Sequence, residues 1–192
     1  MNLSEFLKHS KPELPGAGTP GRETAWLAVT SFQVSRGSLW VGDPYVVNAE
    51  DGFLMDAPNG VYALEAKAMD FAGRLAVSRV RAYLSTAESP ETGREIGYTC
   101  TDTAMVAVCD IRALDEAIPP DANEAFQDAV MNHPSHDCGV IPIRVGRGFD
   151  LPYVSTAFGD TGGTVFEIVS NGARVGFEVE FLPPDYIYNE EV

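Results

Sequence analysis

Short β-prone segments separated by tight turn signals run along most of this 192-residue chain. Connections this short cannot hold a crossover helix, so successive strands must run antiparallel. The pattern therefore predicts an α+β fold that is β-rich, with a mostly antiparallel, sandwich-like sheet and one or two helices. The predicted strands cover residues 25–34, 38–47, 61–69, 74–85, 104–111, 139–145, 152–158, 164–170 and 174–181.

Glycine-containing turns mark where several of these strands begin or end. Asn59-Gly60 and Asn171-Gly172 are Asn-Gly pairs, which favour two-residue hairpin turns. Arg36-Gly37-Ser38 predicts the turn before the second strand, and Gly42-Asp43-Pro44 predicts a bend within it.

Residues 155–163, STAFGDTGG, form either a turn or a ligand-holding loop. The stretch lacks the lysine of a phosphate-binding loop, and the residues after it are β-prone, whereas a dinucleotide-binding loop opens a helix. We therefore predict a turn in which Gly162 and Gly163 adopt positive φ and Asp160 bonds its own backbone. The alternative is that Asp160 acts as a surface ligand or acid.

Two helices are expected. Residues 122–131 form the clearer one, preceded by Pro119-Pro120 and with Asp121 as its N-cap, and residues 4–9 form a short one capped by Ser4. The chain length fits one domain with a substantial core. We predict an N-terminal helix and Pro/Gly-rich lead-in over 1–24, a single β-rich domain over 25–184 and an acidic tail over 185–192.

Several short motifs occur in a fixed order: SRGSLWVGDPYVV, PNGVYALEA, the strand from Arg74, AVCDI, and the end from FGDTGG to FEVEF. In this order they resemble an uncharacterised bacterial family, the domain of unknown function 4241, over residues 35–182. The chain departs from that pattern at Asn59-Gly60, where Pro-Gly is usual, at Phe158, where Trp is usual, and at Thr161, where Gly is usual. The family has no established reaction, so the resemblance implies no catalytic residue.

The charge balance is strongly acidic, because 13 Lys and Arg face 28 Asp and Glu for a net charge of −15. Such a field repels phosphate backbones and anionic lipid, which argues against direct binding to nucleic acid or membranes. It attracts a basic protein and speeds the encounter with it. The alternative is that the charge serves only solubility.

The cysteines and the apolar pattern indicate a cytoplasmic protein without a metal or cofactor. Cys100, Cys109 and Cys138 match no zinc or redox spacing, and three is an odd number for disulfides. The N-terminus has no apolar secretory segment, and no run of 18 apolar residues occurs. His133 and His136 lie near Cys138, but this set lacks a fourth zinc ligand at suitable spacing.

Three aspartates are candidates for either structural or chemical roles. We interpret Asp43 as a turn residue, Asp110 as a buried strand-end carboxylate paired with Arg112 or Arg74, and Asp160 as a turn residue. If Asp43, Asp110 and Asp160 converged, their oxygens would suit a divalent cation. That arrangement underlies the alternative function, a small metal-assisted hydrolase.

The basic residues of the chain cluster at Lys67, Arg74, Arg79 and Arg81. At alternate positions, Arg79 and Arg81 share one face of a strand. We expect this cluster to offset nearby acids, with a small anionic ligand as the alternative.

The sequence contains no catalytic signature, and its charge favours capture of a basic protein. We therefore predict an immunity-type inhibitor that binds and blocks a basic toxin or effector, with aromatic anchors and acidic rims. No catalytic residue is predicted. The predicted partner-binding residues are Asp115, Glu116, Asp121, Glu124, Asp128, Tyr153, Asp160, Tyr186 and Tyr188.

Overall fold

The structure, a computed structural model, describes residues 2–9, 22–48, 50–71, 74–133, 138–156 and 161–183. These residues form eleven strands and three α-helices. The strands are β1 (Leu27–Val34), β2 (Ser38–Gly42), β3 (Phe53–Asp56), β4 (Gly60–Phe71), β5 (Arg74–Leu84), β6 (Glu91–Thr101), β7 (Met105–Cys109), β8 (Cys138–Ile143), β9 (Phe149–Ser155), β10 (Thr161–Ser170) and β11 (Ala173–Glu180). The helices are α1 (Leu3–His9), α2 (Ile111–Ala117) and α3 (Asn123–Met131), with a 3-10 turn at Pro120–Ala122.

The strands form two sheets that pack face to face. One has six strands in the order β1-β4-β5-β11-β10-β6, and the other has five in the order β3-β2-β7-β9-β8. Every pair of these strands is antiparallel. The prediction of a β-rich, antiparallel, sandwich-like α+β fold is confirmed. The third helix, α2, was not predicted, because it starts directly after β7 without a Gly or Pro turn signal.

The alternation of side chains in β2 and β7 creates two cores. Leu39, Val41, Val106 and Val108 belong to the core between the sheets, together with residues of the six-stranded sheet. The intervening side chains, such as Trp40, belong to a second core between the five-stranded sheet and the helices α2 and α3. The molecule therefore has three layers, and both faces of the central strands are buried.

The predicted turns have two different roles. Asn171-Gly172 joins β10 to β11 as a hairpin, with φ of 51° at Asn171 and 77° at Gly172, as the Asn-Gly signal predicts. The hairpin prediction for Asn59-Gly60 is wrong, because β3 and β4 lie in different sheets. The turn at Arg36–Ser38 likewise carries the chain from one sheet to the other. Gly42-Asp43-Pro44 ends β2, as predicted.

The prediction that Gly162 and Gly163 adopt positive φ is wrong. Both residues lie inside β10 and neither has a left-handed φ. They provide space instead, since a Cβ at Gly162 would lie 1.4 Å from Oη of Tyr98, and one at Gly163 would lie 2.5 Å from Cγ1 of Val179. Asp160 lies outside the described residues.

Both predicted helix caps differ from the structure. At α1, the side chain of Asn2 accepts a hydrogen bond from the backbone N–H of Glu5, and the Glu5 carboxylate accepts one from the Asn2 N–H. This reciprocal capping box replaces the predicted Ser4 cap. At α3, Asp121 lies in the preceding 3-10 turn, and the helix begins after Ala122 without a side-chain cap.

Replacing Gly176 by alanine tests the close approach of β11 to β5. Gly176 lies opposite Tyr83, and an added Cβ would lie 2.0 Å from the carbonyl oxygen of Ala82. Because backbone on both strands would have to shift, we expect G176A to lower the free energy of unfolding by about 3 kcal/mol. Denaturant unfolding measures this loss.

The matched control is G172A in the β10–β11 hairpin. Gly172 has φ of 77° but nothing within 4 Å of its Cβ position, so only backbone strain of about 1 kcal/mol is expected. A loss in G176A no larger than that in G172A would contradict the steric argument.

Candidate partner-binding site

The helical layer brings five predicted partner-binding acids together. The apolar side chains of α2 and α3, such as Leu114 and Phe126, face the second core. The opposite surface of the layer therefore carries the polar residues. Its five exposed acids are Asp115, Glu116, Asp121, Glu124 and Asp128.

One of these acids is already neutralised. Arg36 donates two hydrogen bonds of 2.7 Å to the carboxylate of Glu116. This bonding lowers the pKa of Glu116 below its ordinary value, with the positive charge of Arg36 acting in the same direction. The other four acids make no ion pair with the described residues. They supply the unpaired negative charge of this layer.

A cavity of about 400 Å³ lies between α2 and α3. It forms here because Pro119 and Pro120 cannot continue α2, so the chain turns and α3 starts at a distance from it. Most of its lining residues are apolar, but about half of the exposed surface of the lining is polar. The lining residues are Val47, Leu114, Asp115, Ile118, Pro119, Pro120, Asn123 and Phe126.

Asp115 is the charged group of this cavity. Partial burial raises the pKa of its carboxyl above the ordinary value of 3.8, because removing water from a carboxylate disfavours its charged form. No cation among the described residues offsets this effect. The negative charge of Asp115 is therefore not paired with a cation in the part of the chain that the structure describes.

The predicted aromatic anchors do not join this surface. Tyr153 is fully buried in the second core, where the ring of His133 packs edge-on against it at 5.4 Å. The prediction that Tyr153 contacts a partner is therefore wrong. Tyr186 and Tyr188 lie outside the described residues, as does His136.

Asp110 is a buried structural carboxylate. It accepts hydrogen bonds from the backbone N–H groups of Ser35 and Arg36 at 2.7 and 2.6 Å, from the Ser38 hydroxyl at 2.5 Å and from the Ala113 N–H at 3.3 Å. The predicted pairing with Arg112 is wrong, because Arg112 pairs with Asp56. Asp110 serves instead as the N-cap of α2.

Asp43 has the same role at the opposite end of β2. Its carboxylate accepts hydrogen bonds from the Thr101 hydroxyl and from the backbone N–H groups of Asp102 and Thr103. Since Asp110 bonds to Ser38 at the start of β2, the two aspartates are separated by the length of a five-residue strand, about 17 Å.

Asp43 and Asp110 therefore do not converge, and the predicted three-aspartate cation site loses its geometry. Within the described residues, no group of three or more His, Cys, Asp or Glu side chains could hold a metal ion. The metal-assisted hydrolase hypothesis depended on that convergence.

The basic cluster lies on the outer face of the six-stranded sheet and is internally paired. Lys67 and Arg79 bond to Glu23, and the guanidinium of Arg81 stacks over Trp26 at 4.1 Å. Three cations among the described residues lie beside four carboxylates here, as expected for a cluster that offsets nearby acids. This pairing does not favour the alternative of a small anionic ligand. The carboxylates are Glu23, Glu65, Glu178 and Glu180.

A second cavity of about 400 Å³ extends the acidic surface. The loop after β2 contributes Val47 to the cavity between the helices and Val46 to this one, so the two flank the same loop. Sequence reasoning missed this cavity, because its acids come from separate segments. They are Asp43, Glu50, Asp51 and Asp102.

Comparisons with known proteins found no matching family model, no matching curated protein and no matching solved structure. The resemblance to the domain of unknown function 4241 therefore stays a prediction. In the part of the chain that the structure describes, no helix has the length and apolar character that a membrane span requires.

The raised pKa of Asp115 predicts how D115N changes stability. Because the folded-state pKa is raised, the charged carboxylate opposes folding above that pKa, and the penalty disappears as pH falls through it. D115N should therefore be more stable than the wild type at neutral pH, and the difference should shrink as pH falls through the raised pKa and be gone below the ordinary pKa of 3.8. Solvent screening limits the expected gain in Tm to about 2 °C.

Thermal unfolding from neutral to acidic pH measures this difference. D121N is the matched control, because it removes the same charge from the same layer without lining the cavity. Equal Tm profiles for D115N and D121N would contradict the assignment of a desolvation penalty to Asp115.

Proposed function

We propose that this protein is an acidic binding protein of the cytoplasm that blocks a basic toxin or effector, in the manner of an immunity protein. The observation that carries this proposal is the helical layer, where Asp115 lines a cavity and three further exposed acids, Asp121, Glu124 and Asp128, make no ion pair with the described residues. Charged groups of one sign steer an oppositely charged protein towards this surface. The apolar cavity supplies buried contact area, which holds the complex together after the encounter.

The distribution of cations supports the same proposal. Lys67, Arg79 and Arg81 are paired on the outer face of the six-stranded sheet, and Arg36 is paired with Glu116. None of these cations remains available to neutralise the acids around the helix cavity. The second cavity adds further carboxylates along the same loop, which widens the surface that a basic partner would meet.

The thiols support the proposed compartment. Cys100 and Cys109 form no disulfide with each other, as is usual for proteins of a reducing compartment. Burial raises the pKa of the Cys109 thiol, so this residue behaves as a small apolar core side chain rather than as a nucleophile.

The proposal predicts a salt-dependent association. The protein is immobilised, partners from its own host are captured at low salt and identified, and binding rates are measured by surface plasmon resonance. The association rate should fall as salt rises from about 50 mM to about 150 mM, because exposed charges are then screened. The dissociation rate should change much less, since it depends on packed contacts.

Two charge-reversal variants identify the surface responsible. Reversing Asp121, Glu124 and Asp128 to lysine should lower the association rate at least about tenfold. Reversing three exposed acids in the β5–β6 connection and in β6 changes the net charge equally and should have a smaller effect. These control acids are Glu88, Glu91 and Glu95.

The proposal also predicts that co-expression relieves the toxicity of the captured partner. The proposal is wrong if the association rate changes neither with salt nor with reversal of Asp121, Glu124 and Asp128. It is also wrong if the captured protein is neither basic nor inhibited.

A further inference from the structure

The cavity between α2 and α3 combines apolar side chains with one carboxylate. Leu114, Ile118 and Phe126 supply apolar surface, and Asp115 supplies the carboxylate. Among the described residues, no Lys, Arg or His side chain lines the cavity. This combination matches a long side chain that is aliphatic along its length and cationic at its tip.

We propose that this cavity receives a single lysine or arginine side chain of the partner, with Asp115 as its counter-ion. The aliphatic stem contacts Ile118 and Phe126, and the Asn123 amide oxygen accepts a further hydrogen bond from the cationic head. The identity of the partner rests on the proposed function, whereas the chemistry of the cavity stands on its own lining.

An apolar side chain is a poorer occupant than a cationic one. It would remove more water from the Asp115 carboxylate without supplying a hydrogen bond, and a buried unpaired charge is strongly unfavourable. An anionic occupant would add repulsion. A cationic head restores both the charge balance and the lost hydrogen bonds of the carboxylate.

The two prolines that line the cavity strengthen the preference for a cationic occupant. Pro119 and Pro120 line the cavity and have no backbone N–H to donate. They therefore offer the Asp115 carboxylate no hydrogen bond, in contrast to Asp110, which accepts three from backbone N–H groups. Donors to the Asp115 carboxylate therefore come from water or from a bound ligand.

The cavity is large enough for a lysine or arginine side chain together with hydrating water. Its volume of about 400 Å³ lies within the range for small-molecule sites, which begins near 300 Å³. The end of α2 is held in place, because Ala117 accepts a hydrogen bond of 2.9 Å from the Arg147 N–H. A preformed cavity lowers the entropic penalty of binding.

The test uses small blocked amino acids in place of the partner. Nα-acetyl-lysine methylamide and Nα-acetyl-arginine methylamide are titrated into the wild-type protein, with the neutral norleucine and citrulline analogues as shape-matched controls. Two-dimensional NMR follows the amide signals of Leu114, Asp115 and Ile118. We expect millimolar binding of at least one cationic probe at these residues, at least about tenfold tighter than its neutral analogue.

Variants then assign the counter-ion. D115N should weaken binding of the cationic probe about tenfold, whereas D121N, which removes an equal charge outside the cavity, should change it less than about twofold. Tighter binding of lysine or of arginine identifies the side chain, and either result supports the proposal. Equal binding of charged and neutral probes overturns it, as does unchanged binding in D115N or the absence of shifts at the cavity.

The failures of the two proposals are distinguishable. If a basic partner binds D115N as tightly as the wild type, this inference is wrong and the proposed function stands. If the cationic probes bind at Asp115 but no basic partner is captured, the inference stands and the proposed function falls. The comparison of probes on the wild-type protein does not depend on the folding of any variant.

Discussion

The fold depends on a buried carboxylate that stabilises the segment where the chain passes from one sheet to the other. Asp110 is fully buried, and its oxygens bond to the backbone of Ser35 and Arg36, where the chain leaves one sheet for the other. The same carboxylate bonds to Ser38 at the start of β2 and to Ala113 in α2. All three layers therefore meet at one negative charge, which is compensated by hydrogen bonds rather than by a cation. Asp43 performs the same task for the crossing from β6 to β7.

This bracing also places the candidate site. Asp110 fixes the first turn of α2, and the Arg36 side chain fixes its last turn by bonding to Glu116. With both ends of the helix held, Leu114 and Asp115 have a defined position relative to Val47 and α3. The acids on α2 therefore have separate roles, since Glu116 stabilises the layer and Asp115 remains available to a ligand. Comparing D115N with D121N tests that availability, because neutralising a partly desolvated carboxylate removes a desolvation penalty in addition to any repulsion from other acids.

The sequence predicted those strands that have an apolar face. β6 was missed, because its sequence ETGREIGYTCT at the sheet edge shows no regular apolar alternation, and the four-residue β3 is too short to carry a pattern. The turn signals predicted where the chain changes direction but not which sheet it enters next, since Asn59-Gly60 connects strands of different sheets. Gly162 and Gly163 were misread because their neighbours, Tyr98 and Val179, come from other strands and are invisible in the local sequence.

The candidate site was also predicted only in part. The features that the sequence did not predict bear on whether the acidic charge serves binding or solubility alone. The concentration of acidic residues after residue 111 pointed to the exposed acids, but the pairing of Glu116 with Arg36 and the position of Val47 beside Asp115 arise only from tertiary contacts. If the charge served only solubility, carboxylates would lie where water hydrates them fully, because hydration is the source of their solubilising effect. Asp115 is exposed, but it lines a cavity whose partial desolvation raises the pKa of its carboxyl. A partner's cation would offset that desolvation, which is why we propose a binding role for this acid.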